Sequence, residues 1–255
     1  MIFNENISNS NLQDTELILP QLNLLIPDVI YDEQKILKIC NLIVGLKISS
    51  ITVYHLFVPK IWKWLEKTNI KICALFDCNN FIENGQLNKN TMLTYIRTAI
   101  NDGANIIDIN QSNYINLNDE LDLLNFATDS KMDIVKLTMN RNNINSADDI
   151  KIFLDSIYRK DIHCIKTESF TNENNLNTKF KTKVADINAV FDFIQSQTAE
   201  QYFKLDIVAN EIDENNFSFY DSVHMLHQSI FKNDLLFYKN CSFTCGLLRL
   251  NKILQ

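Results

Sequence analysis

An aspartate and three lysines interrupt short apolar runs: Ile106-Ile107-Asp108-Ile109, Ile134-Val135-Lys136-Leu137, Cys164-Ile165-Lys166 and Phe203-Lys204-Leu205. Runs of this length and β-branched content read as buried strands. Side chains alternate between two faces along a strand. Ile107 and Ile109, Val135 and Leu137, and Phe203, Leu205 and Ile207 therefore share the faces that meet helices. Asp108, Lys136, Lys166 and Lys204 fall on the opposite face, together with Asn110, Thr138, Cys164 and Asp206. An isolated buried charge is costly, so three lysines gathered round few carboxylates lose their protons more easily than lysines in water. The product is a neutral amine, the nucleophile that attacks a carbonyl to form a Schiff base. From the pattern alone a second reading stays open: structural ion pairs, or a strand register displaced by one residue that turns some lysines outward.

Positioning such residues requires parallel strands with helices between them. Apolar runs predict strands at about 21–26, 50–54, 70–76, 105–110, 133–139, 162–167, 202–208 and 236–242. Between them run helix-period stripes: Ile36, Ile39, Cys40 and Ile43 after Asp32; Ile150, Phe153, Leu154 and Ile157; and Ile187, Val190, Phe191 and Ile194. Eight strand-then-helix units, with no Gly-rich turn after the first strand, predict an α/β fold. It is a (β/α)8 TIM barrel in a single domain over residues 16–255, rather than an open dinucleotide-binding sheet. Residues 1–15 are polar and Asn-rich and read as a frayed lead-in. Chemistry in such a barrel belongs at the carboxyl ends of the strands.

Composition narrows the function classes. The chain has 255 residues, 46% of them hydrophobic and 22% charged, with a net charge of −7; this is ordinary for a globular protein and argues against a nucleic-acid partner. No stretch approaches the eighteen apolar residues of a membrane span, and no N-terminal leader is evident, so a cytoplasmic location is expected. The six cysteines sit in or beside apolar runs without a C-x-x-C pair and read as reduced core thiols. Neither they nor the four histidines have zinc spacing, and no metal is expected. His55, His163, His224 and His227 read as structural or exposed, and Trp62 and Trp64 as packing and surface residues.

Several segments, in order, resemble the deoxyribose-phosphate aldolase family. Leu24-Leu25-Ile26-Pro27-Asp28 resembles its first-strand exit, and Ile51-Thr52-Val53-Tyr54 with Phe57-Val58-Pro59 its second strand and following helix. Asp102-Gly103-Ala104-Asn105-Ile106-Ile107-Asp108 resembles the segment ending in its catalytic aspartate, Ile165-Lys166-Thr167 its Schiff-base lysine, and Tyr202-Phe203-Lys204 its second lysine. The resemblance implies Lys166 as nucleophile, Lys204 as the neighbouring cation that lowers its pKa, and Asp108 as a proton relay. Thr167, Ser169, Thr244 and Lys136 are the candidate substrate contacts. It implies reversible cleavage of 2-deoxyribose 5-phosphate to glyceraldehyde 3-phosphate and acetaldehyde, or of a related aldol. No cofactor is involved, the ligand is a small aldehyde or sugar phosphate, and the assembly allows a homodimer.

The departures cluster where that family binds phosphate. Its Lys-Thr-Ser-Thr-Gly is here Lys166-Thr167-Glu168-Ser169-Phe170, its Gly-Gly pair is Ile207-Val208, and its final Gly-x-Ser-Ser turn is Ser242-Phe243-Thr244-Cys245. Its first-strand aspartate corresponds to Gln21. Lost glycines remove exposed backbone donors, and Glu168 adds negative charge. Two outcomes follow: an aldolase for a different aldehyde, or a catalytically impaired barrel acting as a binding or regulatory protein.

Overall fold

A computed structural model describes residues 22–26, 32–110, 134–138, 148, 152, 155, 164–166, 204–208 and 241–246. The lead-in 1–15, Gln21, Thr167, Ser169 and the expected stripe at 187–194 lie outside them. Eight parallel strands form a closed barrel: β1 (Leu22–Ile26), β2 (Ser50–Tyr54), β3 (Lys71–Asp77), β4 (Ile106–Asn110), β5 (Ile134–Thr138), β6 (Cys164–Lys166), β7 (Lys204–Val208) and β8 (Cys241–Gly246). Each strand pairs with the next in the sequence, and β8 closes on β1.

Seven strands fall within two residues of their expected positions. The last does not: the apolar run at 236–242 suggested a strand that ends at Ser242, whereas β8 spans Cys241–Gly246. Leu235-Leu236-Phe237-Tyr238 is the more apolar stretch, but the ladder is made by the residues that pair, Cys241 to Thr244 with Leu205 to Val208. Thr244 therefore belongs to a strand rather than to a turn.

Three helices are described between the early strands: α1 (Glu33–Gly45), α2 (Val58–Leu65) and α3 (Lys89–Asn101). Asp32 starts α1 by accepting from the Gln34 N–H at 2.9 Å, and Asn88 starts α3 by accepting from Thr91 at 3.1 Å, in each case satisfying an amide left over at the helix start. The stripe Ile36, Ile39, Cys40 and Ile43 is the buried face of α1, as its period requires. Cys40 lies deep enough that burial pushes its thiol up to about 11. Cys73, Cys78 and Cys164 are buried as well, and all four are thiols. Residues 148, 152 and 155 are helical, and Ile152, which is not one of the four stripe residues there, is exposed.

The carboxyl ends of β2 and β3 carry an aromatic cluster. His55, in a 3-10 turn at His55–Phe57, stacks on Phe76 at 4.6 Å and 10°, with Tyr95 of α3 at 5.1 Å and Phe81 at 5.8 Å. Its Nδ1 is buried without a hydrogen-bond partner. Burial lowers the pKa of this imidazole, and a hydrogen bond with the Leu75 backbone partly opposes that. The folded protein thus holds His55 neutral where the unfolded chain protonates it. Stability supported by the neutral ring is present above the unfolded value of 6.5 and is lost as pH falls below it. The melting temperature is expected to fall from pH 7.5 to pH 5.5, with a shallower slope in His55→Phe. Equal slopes would exclude His55 as the titrating group.

Candidate active site inside the barrel

Phe76 points toward α3, so the opposite parity of β3, Cys73 and Leu75, faces the barrel axis. The ladders carry that parity round the barrel. Leu75 pairs with Asp108, Asp108 with Lys136, Lys136 with Cys164, and Cys164 with Lys204; in the other direction Thr52 pairs with Cys73 and Asn23 with both Ser50 and Thr244. Asp108 and Lys136 are 0% and 4% exposed, so an acidic and a basic side chain both lie in the interior on adjacent strands. The strand alternation read from the sequence is the alternation found.

One circuit of the barrel closes with an offset. Following partners from Val208 through Thr244, Asn23 and Ser50 reaches Lys71, and from Leu75, four residues further on, through Asp108, Lys136 and Cys164 reaches Lys204, four residues before the start. The shear is eight over eight strands, the value of a (β/α)8 barrel, in which inward residues form layers of four from alternate strands. Stepping two strands along the ladder and then two residues toward the carboxyl end returns to the same height. Thr52, Asp108, Lys166 and Thr244 therefore occupy one layer. Asn23, Cys73, Lys136 and Asp206 occupy the layer beneath.

The candidate residues are thus partly brought together. Asp108, the Lys166 backbone position and Thr244 share a layer, and Lys136 lies in the one below. Lys204 is the first residue of β7 and pairs with Cys164, whereas the β7 partner of Lys166 is Asp206. Lys204 is therefore at the amino end of its strand, not toward the carboxyl end where its place in the pattern suggested it. Strand ends are the least legible feature of a sequence, and a two-residue displacement along a strand is two layers of height. Among the described residues no group of three or more His, Cys, Asp or Glu side chains could hold a metal ion, and no helix is long and apolar enough to cross a membrane. A groove of about 340 Å3 between α1 and α2, lined by Glu33, Ile36, Pro59, Lys60, Lys63 and Trp64, lies on the outer wall, away from these layers.

A buried polar cluster was not anticipated. Asn23, 1% exposed, donates from Nδ2 to Thr52 Oγ1 at 2.7 Å and to Thr244 Oγ1 at 2.8 Å, and its Oδ1 accepts from Ser50 Oγ at 2.9 Å and Thr52 Oγ1 at 3.0 Å. All four hydrogen-bonding positions of the carboxamide are used. The polar side chain that β1 sends inward is therefore Asn23, and the sequence signal for it is a single amide amid Leu22, Leu24, Leu25 and Ile26. Gln21, the residue matched to the family aspartate, lies outside the described residues.

No family model matches the sequence, and no curated protein matches it. Solved structures do. A chain of Toxoplasma gondii described as a deoxyribose-phosphate aldolase superposes with a TM-score of 0.70 at 15% identity, covering 96% of this chain and 94% of the other. One of Coccidioides immitis with the same description gives 0.65 at 12%, covering 94% and 84%. The deoxyribose phosphate aldolase of Aeropyrum pernix, a tetramer, gives 0.62 at 13%, covering 97% of each. Identities this low speak for the fold: the chain is an eight-stranded α/β barrel built as deoxyribose-phosphate aldolases are built.

Proposed function

We propose that the protein is a class I aldolase that forms a Schiff base at Lys166 and cleaves, reversibly, a small aldol such as 2-deoxyribose 5-phosphate. The observation that carries this reading is buried Asp108 at the height of the Lys166 position, with its equally buried ladder partner Lys136 one layer below, inside the barrel. A second cation within the interior favours the neutral amine of its neighbour. Lys136 supplies one from the layer below, and Lys204 would add to it from the amino end of β7.

The reaction balances without a cofactor. The amine adds to the substrate carbonyl carbon, the carbonyl oxygen leaves as water, and a protonated imine remains. Removal of the proton from the β-hydroxyl then breaks the carbon–carbon bond, releases one aldehyde and leaves the bonding pair as an enamine. A proton returned to the enamine carbon and hydrolysis of the imine release the second aldehyde. Asp108 is the group proposed to relay these protons, directly or through water. Thr167, Ser169 and Thr244 remain the proposed substrate contacts, with Lys136 available to a substrate oxygen, and a homodimer or a larger assembly like that of the Aeropyrum pernix enzyme is compatible with this reading.

Replacement of the phosphate-site glycines by Phe170, Ile207 and Val208 favours a second reading, a barrel that binds a carbonyl ligand without turnover. Both are tested by treating the protein with acetaldehyde and borohydride and by assaying cleavage of deoxyribose 5-phosphate. The aldolase reading expects an adduct and turnover, both abolished in Lys166→Ala. An adduct without turnover on any aldol would select the binding reading, and full labelling of the variant would remove Lys166 as nucleophile.

A further inference from the structure

Solvent-accessible surface inside the barrel begins one layer above Asp108. Leu25 of β1 follows Asn23 on the inner face and is partly exposed, whereas its neighbours Leu24 and Ile26, on the outer face, are buried. Leu75 of β3, also on the inner face, is 8% exposed between Ala74 and Phe76, each at 0%. Exposure confined to the inner parity of a closed barrel is exposure to its mouth. Beneath these leucines the access ends, since Thr52, Asp108 and Thr244 are all fully buried.

The layers fix what surrounds that opening. Leu25 and Leu75 lie two residues beyond Asn23 and Cys73, so they share one layer with the positions of Thr138 and Val208, directly above the layer of Asp108 and the Lys166 position. Tyr54, Asn110 and Gly246 lie two residues beyond Thr52, Asp108 and Thr244 and form the rim. Tyr54 and Asn110 are partly exposed. Gly246, the ladder partner of Leu25, brings no side chain to the rim beside it. The mouth thus has a leucine floor on β1 and β3, polar groups above it on β2 and β4, and a gap next to Leu25.

A carbonyl compound held at Lys166 must place its remaining carbons above the Asp108 layer, where the accessible surface is. There they meet Leu25 and Leu75. A hydroxyl set against leucine gives up its bonds to water without a replacement, whereas an alkyl group gains by leaving water. Resting on the aldolase reading, we propose that Leu25 and Leu75 set the specificity for the imine-forming partner: a short aliphatic aldehyde, its alkyl chain on the leucine floor, in preference to a hydroxylated aldehyde of the same size. The floor is one layer deep beneath a polar rim, which keeps the chain short, and the gap at Gly246 gives it room beside Leu25.

The test compares propanal with glycolaldehyde, which differ by a methyl against a hydroxyl on the carbon next to the carbonyl. Initial rates of borohydride-trapped adduct on the Lys166 peptide of the full-length protein are divided by the rates for Nα-acetyllysine, which removes the intrinsic reactivity of each aldehyde. The wild type is expected to favour propanal by about tenfold after that correction. Leu25→Asn, similar in size and polar, abolishes the preference, and Leu25→Met retains it. Gly246→Val slows trapping of butanal more than trapping of propanal. Equal corrected rates for propanal and glycolaldehyde in the wild type, or a preference that persists in folded Leu25→Asn, would overturn the inference and leave the aldolase reading intact. If Leu25→Asn does not fold, the wild-type ratio and Gly246→Val decide, and an unchanged ratio of butanal to propanal in the latter counts against the inference. No adduct with any of these aldehydes in the wild type would overturn both.

Discussion

Asp108→Asn is expected to reduce aldol cleavage by about 10²- to 10⁴-fold, the range over which a positioned acid or base contributes, while an acetaldehyde adduct can still be trapped. The carboxamide matches the carboxylate in size and keeps a hydrogen-bond acceptor in a site that is fully buried, so the packing of β4 is preserved. What it cannot do is take up and return a proton. Imine formation draws on the Lys166 amine and on water, whereas carbon–carbon cleavage requires a base for the β-hydroxyl proton, so the two measurements should separate. An Asp108→Asn protein with both activities at wild-type level would remove Asp108 from the mechanism. Loss of both together with an unchanged melting temperature would instead place Asp108 in imine formation.

Gly103→Ala is expected to cost about 3 kcal/mol of stability, combining the strain of an L-residue in a left-handed conformation with overpacking. Gly103 joins α3 to β4 with φ at +105°, where glycine alone is unstrained, and a Cβ there would lie 1.9 Å from Cδ1 of the Trp62 indole. The nearest atoms belong to a rigid ring, so relief requires α2 or the turn to move. Urea denaturation of Gly103→Ala, and of Gly103→Ala combined with Trp62→Ala, checks this. The double variant should recover the steric part and retain the backbone strain. A single variant within 0.5 kcal/mol of the wild type, roughly the range of a neutral surface change, would show that the turn adjusts without cost. The same contact explains why Trp62, although partly exposed, reads as a packing residue.

Much of the barrel was legible because a parallel sheet covered on both faces leaves two signals in the sequence: dense β-branched runs, and polar residues restricted to one parity. Asp108 and Lys136 were placed on the inner face by alternation alone, and both are buried there. Height along the barrel axis was not legible. It depends on the shear, which is a property of the closed ladder and not of any strand, so Lys204 could be assigned a face but not a layer. Thr244 was placed on a turn because the apolar residues before it looked more like a strand than Cys241–Gly246 does. Asn23 was passed over for a different reason. In a chain rich in asparagine a single amide among leucines carries little weight, and its meaning comes from hydroxyls as many as 221 residues away. Thr167 and Ser169, the proposed contacts at the substrate end of the site, lie outside the described residues.

The most direct measurement is peptide mapping of the intact protein after reduction with borohydride in the presence of acetaldehyde, and separately of deoxyribose 5-phosphate. A single reduced adduct on the peptide that contains Lys166, absent from Lys166→Ala, is the expected result, because Lys166 is the lysine at the height of buried Asp108. An adduct on Lys136 or Lys204 with Lys166 unmodified, or no adduct with either carbonyl compound, would contradict it.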